Sequence, residues 1–260
     1  MVAPGGRVVT GSRYDRQAAL PGFGPGGQGR LRRARVLVLG AGGLGSPVLA
    51  YLAGAGVGHL VVVDGDGLDR TNLHRQVIYA DQEVGGPKAV LAAAFVRRLN
   101  PDVAVTAVVR DVPPEGLAAL VQGSDLVLDC SDNLPTRYAL NRACVGARVP
   151  YVWAAVGRYS GRCSTVLPGS PCFECLLGPQ HAQPAPEPAS AAGIFGPVCG
   201  MLGATAASEA IKVLTGAGRP LVGRLSNVDL LTGDCVVVDL AGDPACAACD
   251  QTLDTGSRLS

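Results

Sequence analysis

Arg35-Val-Leu-Val-Leu39-Gly40-Ala41-Gly42-Gly43-Leu44-Gly45, continued through Ser46-Pro47 to Ala55 and on to His59-Leu-Val-Val-Val63-Asp64, decides the fold of this 260-residue chain. Arg35 to Leu39 is a short apolar run closed by glycine, the pattern of a buried strand. Residues 43–55 read as a helix and 59–63 as a second buried strand. A hydropathy window over Val36 to Val63 has the length of a membrane span, but its glycines and Pro47 divide it into strand, turn, helix and strand. Gly40-Ala-Gly42-Gly43-Leu-Gly45 fits G-x-G-x-x-G in the strand-to-helix context that the motif requires. There glycine allows a tight turn and lets a phosphate approach backbone amides at a helix N-terminus. Asp64 ends the second strand about 20 residues on, where a carboxylate can accept both hydroxyls of a ribose. Alone, the pattern predicts a nucleotide without saying which, and a dinucleotide such as NAD is its default ligand.

Working outward, Pro87 to Leu99 reads as a helix opened by proline. Residues 103–109 alternate as a strand, 125–130 form another buried strand, and 134–147 another helix. This alternation predicts an α/β fold: a Rossmann-like, doubly wound, mostly parallel sheet with helices on both faces. After Pro150 the pattern changes. Strand-like pieces at 151–156, 161–167, 222–230 and 234–240 surround a helix at 197–215, giving a C-terminal antiparallel extension. Residues 178–193, with four prolines and no periodicity, read as a mobile loop. Residues 1–12 and 250–260 read as flexible tails, leaving 13–249 as a single domain. Near its start lie the charged cluster Arg13-Tyr-Asp-Arg16-Gln17 and a Gly/Pro-rich run at 21–29.

The net charge of +1, with no block of like charge, argues against a nucleic-acid or membrane partner recognised by bulk electrostatics. Twenty arginines accompany only two lysines, Lys88 and Lys212, so each lysine stands where arginine would be the default. The first seventeen residues hold no apolar signal core. A cytoplasmic chain with nine cysteines is expected to use them as thiols or metal ligands rather than disulfides. Cys172-x-x-Cys175 and Cys246-x-x-Cys249 are two knuckles of zinc-ligand spacing, and four thiolates suit a tetrahedral structural Zn²⁺ with no catalytic role. Four free thiols, or a redox pair, are the alternatives.

Beyond Asp64 the chain departs from a dehydrogenase: it carries Asp64-Gly-Asp66, Asn72-Leu-His-Arg75-Gln76, Gly86-Pro-Lys88 and Cys130-Ser-Asp132-Asn133. Each piece trails a strand or opens a helix, so all can converge at the carboxyl ends of the strands. Arg75 offers a planar fork of donors and Lys88 a compact charge at a helix start, a set suited to triphosphate. Asp132 could hold Mg²⁺ beside phosphates, or could merely cap the helix at 134–147.

These residues resemble the ubiquitin-activating-enzyme superfamily, and within it most closely the molybdopterin-synthase and thiamine sulfur-carrier adenylyltransferases. The resemblance runs from about Arg13 to Cys249. Its markers are the Arg13–Gln17 cluster, Gly40 to Gly45, Asp64 and Asp66, Asn72 to Gln76, Lys88, Asp129 to Asn133 and both cysteine pairs. It implies an ATP-binding half at about 30–150 and a carrier-binding and zinc half at about 151–249. It also implies a homodimer in which Arg16 enters the partner's ATP site, with Asp64 on the ribose, Arg75 and Lys88 on the phosphates and Asp132 near Mg²⁺. The implied substrate is a ubiquitin-like sulfur carrier with a C-terminal Gly-Gly, adenylylated for thiocarboxylate formation with sulfur from an external donor. Two other activities fit the same scaffold: dehydration of a modified tRNA base, and NAD-dependent oxidoreduction. A non-catalytic partner subunit is a third alternative.

Relatives often carry a further cysteine in the loop, which would fall near Ala189. None lies between 176 and 198, so no covalent thiol step is expected. Cys199, at a helix start, reads as packing. Cys130, Cys144, Cys163 and Cys235 read as core, and His181 as a solvated loop residue.

Overall fold

The computed structural model describes residues 11–179 and 193–249. The strands are β1 (Arg35–Leu39), β2 (His59–Val63), β3 (Ala104–Val108), β4 (Leu126–Asp129), β5 (Tyr151–Gly157), β6 (Ser160–Val166), β7 (Arg224–Asp229) and β8 (Asp234–Asp239). The helices are α1 (Asp15–Ala18), α2 (Gly24–Arg33), α3 (Gly45–Ala55), α4 (Lys88–Leu99), α5 (Leu117–Val121), α6 (Leu134–Ala147), α7 (Phe173–Leu177) and α8 (Gly196–Thr215). The eight strands form one sheet in the order β3-β2-β1-β4-β5-β6-β7-β8. From β3 to β5 the pairing is parallel, and from β5 to β8 antiparallel.

The apolar runs are continuous because the parallel strands are covered on both faces. Val36, Val38, Leu60, Val62, Leu126 and Leu128 enter one core layer, shared with α3, α4 and α8. Their neighbours Leu37, Leu39, Val61, Val63 and Val127 enter the other, under α5 and α6. The registers Leu39 with Val63, Val63 with Val108, and Leu39 with Asp129 bring the parallel strands out at one level. Strand order reverses between β1 and β4. That switch point is where open α/β sheets hold their ligands.

The stretch 36–63 is strand, helix and strand, as its glycines and proline predict. Helix α8 is long and apolar enough to cross a membrane by length and composition, yet Val198, Leu202, Ala206 and Ala210 are buried where it packs on α3, β5 and β6. Lys212 on α8 is structural: it pairs with buried Glu209, which also accepts from Thr165 Oγ1 at 2.8 Å and Leu221 N at 2.5 Å.

The structure overturns the sequence reading at Cys235, adds a helix that the reading left unassigned and gives the cap of the helix at 134–147 to a residue other than Asp132. The Gly/Pro-rich run, left unassigned in the sequence, enters α2, with Pro25 in the first turn and Leu31 fully buried. Cys235 is exposed rather than core, because all six residues of the edge strand β8 are exposed. The helix over 134–147 is capped by Asn133, whose Oδ1 accepts from Thr136 N at 2.9 Å, and not by Asp132. Residues 1–10, 180–192 (with His181 and Ala189) and 250–260 lie outside the described residues.

Candidate functional site

The loop Gly40–Gly45 leaves β1 at the switch point and turns into α3. Gly40 has φ +94°, a conformation strained for any residue with a Cβ, and a Cβ there would lie 2.7 Å from the Cys130 carbonyl oxygen. The turn therefore requires glycine and sits directly against the chain leaving β4. Ala41 N donates to Asp64 Oδ2 at 2.7 Å, and Asp64 Oδ1 accepts from Asp66 N at 2.9 Å. Burial pushes the Asp64 carboxyl above its ordinary range, against those two amides and the nearby Lys88 charge.

The other predicted pieces meet the same loop. Gly42 lies beside the Gln76 amide, which is buried and whose Oε1 has no hydrogen-bond partner among the described residues. Gly43 lies beneath Arg75 and Cys199, and Gly45 opens α3. Arg75 is half-buried and donates from Nη1 to the Thr71 carbonyl at 3.1 Å. Asn72 is occupied locally, its Oδ1 accepting from Asp69 N at 3.1 Å in a reciprocal cap of the turn at 70–72. Lys88, buried at the start of α4, pairs through Nζ with Asp66 Oδ2 at 2.7 Å. Asp132 is exposed and makes no hydrogen bond or ion pair among the described residues, although its loop is firmly anchored. Buried Asp129 accepts from Ser131 N at 3.0 Å and Ser131 Oγ at 2.6 Å, while Arg137 donates to the Ser131 carbonyl and lies 3.7 Å from Asp129.

Arg16 is not at this site in its own chain. Its segment docks at the far ends of α3 and α4: Gln17 Nε2 donates to Ala55 O at 3.0 Å, Asn100 Nδ2 to Tyr14 Oη at 2.8 Å, and Arg13 Nη1 to Leu99 O at 2.8 Å. The eleven residues of α3, about 16 Å of helix, separate it from the glycine loop.

Two supporting residues carry no sequence signal. Buried Tyr79 donates from its hydroxyl to the Ala41 carbonyl at 2.8 Å and reaches the Lys88 carbonyl at 3.3 Å, joining the glycine loop to α4. Arg137, in the first turn of α6, fixes the Asp132 loop. Both act on main-chain carbonyls, which any sequence supplies. Periodicity could mark them as buried polar groups but not as anchors.

The four knuckle cysteines converge on the opposite face. Cys172 Sγ lies 4.0 Å from Cys175 Sγ and 3.7 Å from Cys246 Sγ, and Cys175 Sγ lies 3.3 Å from Cys249 Sγ. All four sulfurs fall within 4.8 Å of one another, as ligands of one metal ion could. They are too far apart for disulfides, which need about 2.05 Å. The first knuckle is braced by α6: Glu174 forms a two-point pair with Arg142 at 2.8 and 3.0 Å, and Asn141 Oδ1 accepts from Phe173 N at 3.1 Å.

Comparison with known proteins gives one consistent answer. A family model described as the ThiF family matches residues 14–248. The chain is 45% identical over 240 residues to the SAMP-activating enzyme E1 of Haloferax volcanii, covering 92% of this chain and 88% of that protein. It is 43% identical over 244 residues to the sulfur carrier protein adenylyltransferase of Thermus thermophilus, covering 91% and 90%. With the molybdopterin-synthase adenylyltransferase of Escherichia coli it shares 40% identity over 243 residues, 92% of this chain and 96% of that one. Among solved structures, E. coli MccB with ATP superposes with a TM-score of 0.82 at 23% identity, covering 94% of this chain and 75% of that one, a likeness of fold.

Proposed function

The chain belongs to the ThiF family, and from that premise we propose that it uses ATP to adenylylate the C-terminal Gly-Gly carboxylate of a small ubiquitin-like sulfur-carrier protein. The observation that carries this reading is the 40–45% identity, over about nine-tenths of this chain, to enzymes named for activating such carriers. The site's chemistry supports it. Two cations and a carboxylate hang on one glycine loop at a switch point, an arrangement for a nucleotide's phosphates and sugar.

In the proposed reaction a carrier carboxylate oxygen attacks the α-phosphorus of ATP. A new O–P bond forms, the bond to the bridging oxygen breaks, and pyrophosphate leaves with the electron pair. Asp64 holds the ribose, and the amides of the Gly40–Gly45 loop face the phosphates. Arg75 and Lys88 offset the charge that grows on the phosphoryl oxygens and on pyrophosphate. Asn72 and Gln76 line the same wall. Asp132, on its anchored loop, is the residue that would hold Mg²⁺, which neutralises phosphate charge when bound. The acyl-adenylate is then open to an external sulfur donor.

Three further assignments complete the proposal. Arg16 serves the site of a second copy in a homodimer, since α3 keeps it from its own. The four thiols hold a structural Zn²⁺: Zn–S bonds of about 2.3 Å set tetrahedral edges of about 3.8 Å, close to the observed sulfur separations. The protein works in the cytoplasm.

The test is ATP–pyrophosphate exchange in the presence of ubiquitin-like proteins ending in Gly-Gly. Exchange should need both the carrier and its last two glycines, and mass spectrometry should find the carrier–AMP adduct. Exchange indifferent to the carrier tail, or a dinucleotide in the pocket, overturns the proposal.

A further inference from the structure

Lys88 and Asp66 differ sharply in exposure: the lysine side chain keeps 8% of its accessible surface and the aspartate 67%. A cation that has lost nearly all its water needs a compensating partner, or it turns back to solvent. Among the described residues, Lys88 Nζ has one hydrogen-bond acceptor, Asp66 Oδ2 at 2.7 Å. The two residues are also tied through the main chain. Lys88 N donates to the Asp66 carbonyl at 2.9 Å, Gly67 and Pro87 form an antiparallel bridge, and Leu68 N donates to Gly86 O at 2.9 Å. Asp66 N is in turn held by Asp64 Oδ1. A chain of contacts thus runs from the glycine loop through Asp64 and Asp66 to the ammonium of Lys88.

We infer that Asp66 is a positioning residue that acts through Lys88: it holds the ammonium at the wall of the pocket before nucleotide arrives, and gives up part of that contact when a triphosphate does. The inference rests on the ATP-site reading above. The exposed carboxylate sits on the solvent side of a buried cation, so it can swing outward while the lysine stays in place. An ammonium with three donors can keep Asp66 and gain phosphate oxygens together. Asp64 and Asp69 also act on Lys88 electrostatically, but neither accepts a hydrogen bond from Nζ.

The test is a double-mutant cycle read by calorimetric titration of Mg-ATP into the full-length protein, using Asp66→Asn, Lys88→Ala and the double variant. Asp66→Asn should weaken ATP binding about tenfold, the scale of contacting charged pairs, and less than twofold once Lys88 is alanine. Asp66→Glu should recover most of the loss, and the KM for the carrier should not change. An Asp66→Asn effect equally large in the Lys88→Ala background assigns Asp66 to direct nucleotide contact or to the fold, and overturns the inference. So does ATP binding that is unchanged or tighter in Asp66→Asn. If Lys88→Ala itself binds ATP normally, the ATP-site reading fails first and this inference with it.

Discussion

The glycine loop and the cysteine cluster lie on opposite faces of one sheet and are held by different means. The loop at 40–45 is touched from β2 through Asp64, from the 71–76 turn through Arg75 and Gln76, from Tyr79, and from α8 through Cys199. These contacts come from elements already packed into the core. The second cysteine pair sits in a segment with no helix or strand, 74 residues in sequence from the first. Cys246, Cys249, Ala248 and Leu240 carry it into the second core layer. One region is held by several packed elements, whereas the other has no helix or strand around its second pair of sulfurs.

The largest effect should therefore come from breaking the second region. Cys246→Ser, or removal of metal with a chelator, should release one zinc per chain and cost several kcal/mol. In a chain of this size that lowers the melting temperature by roughly 10 °C or more. Calorimetry alongside metal analysis decides it. An unchanged melting temperature after complete metal loss would mean that packing, not metal, closes the cluster.

The first region should respond in activity rather than stability. Asp132 is exposed and has no partner among the described residues, so Asp132→Ala should leave melting unchanged. Losing a group aimed at developing phosphate charge should slow pyrophosphate exchange by about 10²–10³-fold. A variant that exchanges at the parent rate would remove Asp132 from the reaction.

The same contrast explains what the sequence reveals. Strands β1, β2 and β4 are apolar runs closed by Gly40, Asp64 and Cys130, so both the sheet and the site at its end can be read directly. Helix α2 cannot: its glycines are poor helix formers, and it forms because Leu31 is drawn fully into the core. Cys235 misleads for the opposite reason. The apolar run Cys235–Val238 in β8 marks a strand but cannot show that all of its residues stay exposed. Tyr79 and Arg137 stay hidden because they grip main-chain carbonyls. Asp132 is legible by its motif, but only the structure reveals that its anchorage belongs to Asp129, Ser131 and Arg137.

Two glycines near α3 sharpen the comparison on a smaller scale. A Cβ on Gly43 would lie 2.9 Å from Cys199 Sγ and 3.4 Å from Arg75 Cδ, whereas one on Gly54 would meet nothing within 4 Å. Gly43→Ala should destabilise by about 1–3 kcal/mol and raise the KM for ATP by displacing Arg75. Gly54→Ala, in the last turn of α3, should stabilise by at most about 0.5 kcal/mol with ATP binding unaltered. Equal melting temperatures for the two variants would show that α8 does not press on the loop.

The smallest effect should come from Cys199, the cysteine nearest the loop. Burial pushes its thiol up to about 11, and the Arg75 charge only partly offsets that. A group with a raised value stays protonated below it, so between pH 7 and 9 Cys199 is a thiol and not a nucleophilic thiolate. Cys199→Ala should keep carrier-dependent exchange within about twofold of the parent, since catalysis would lose only packing beside Arg75. Thiol-directed alkylation of the folded protein at pH 8 should leave Cys199 unmodified while labelling exposed Cys235. A covalent carrier adduct that disappears in Cys199→Ala would show that this buried sulfur is chemically active after all.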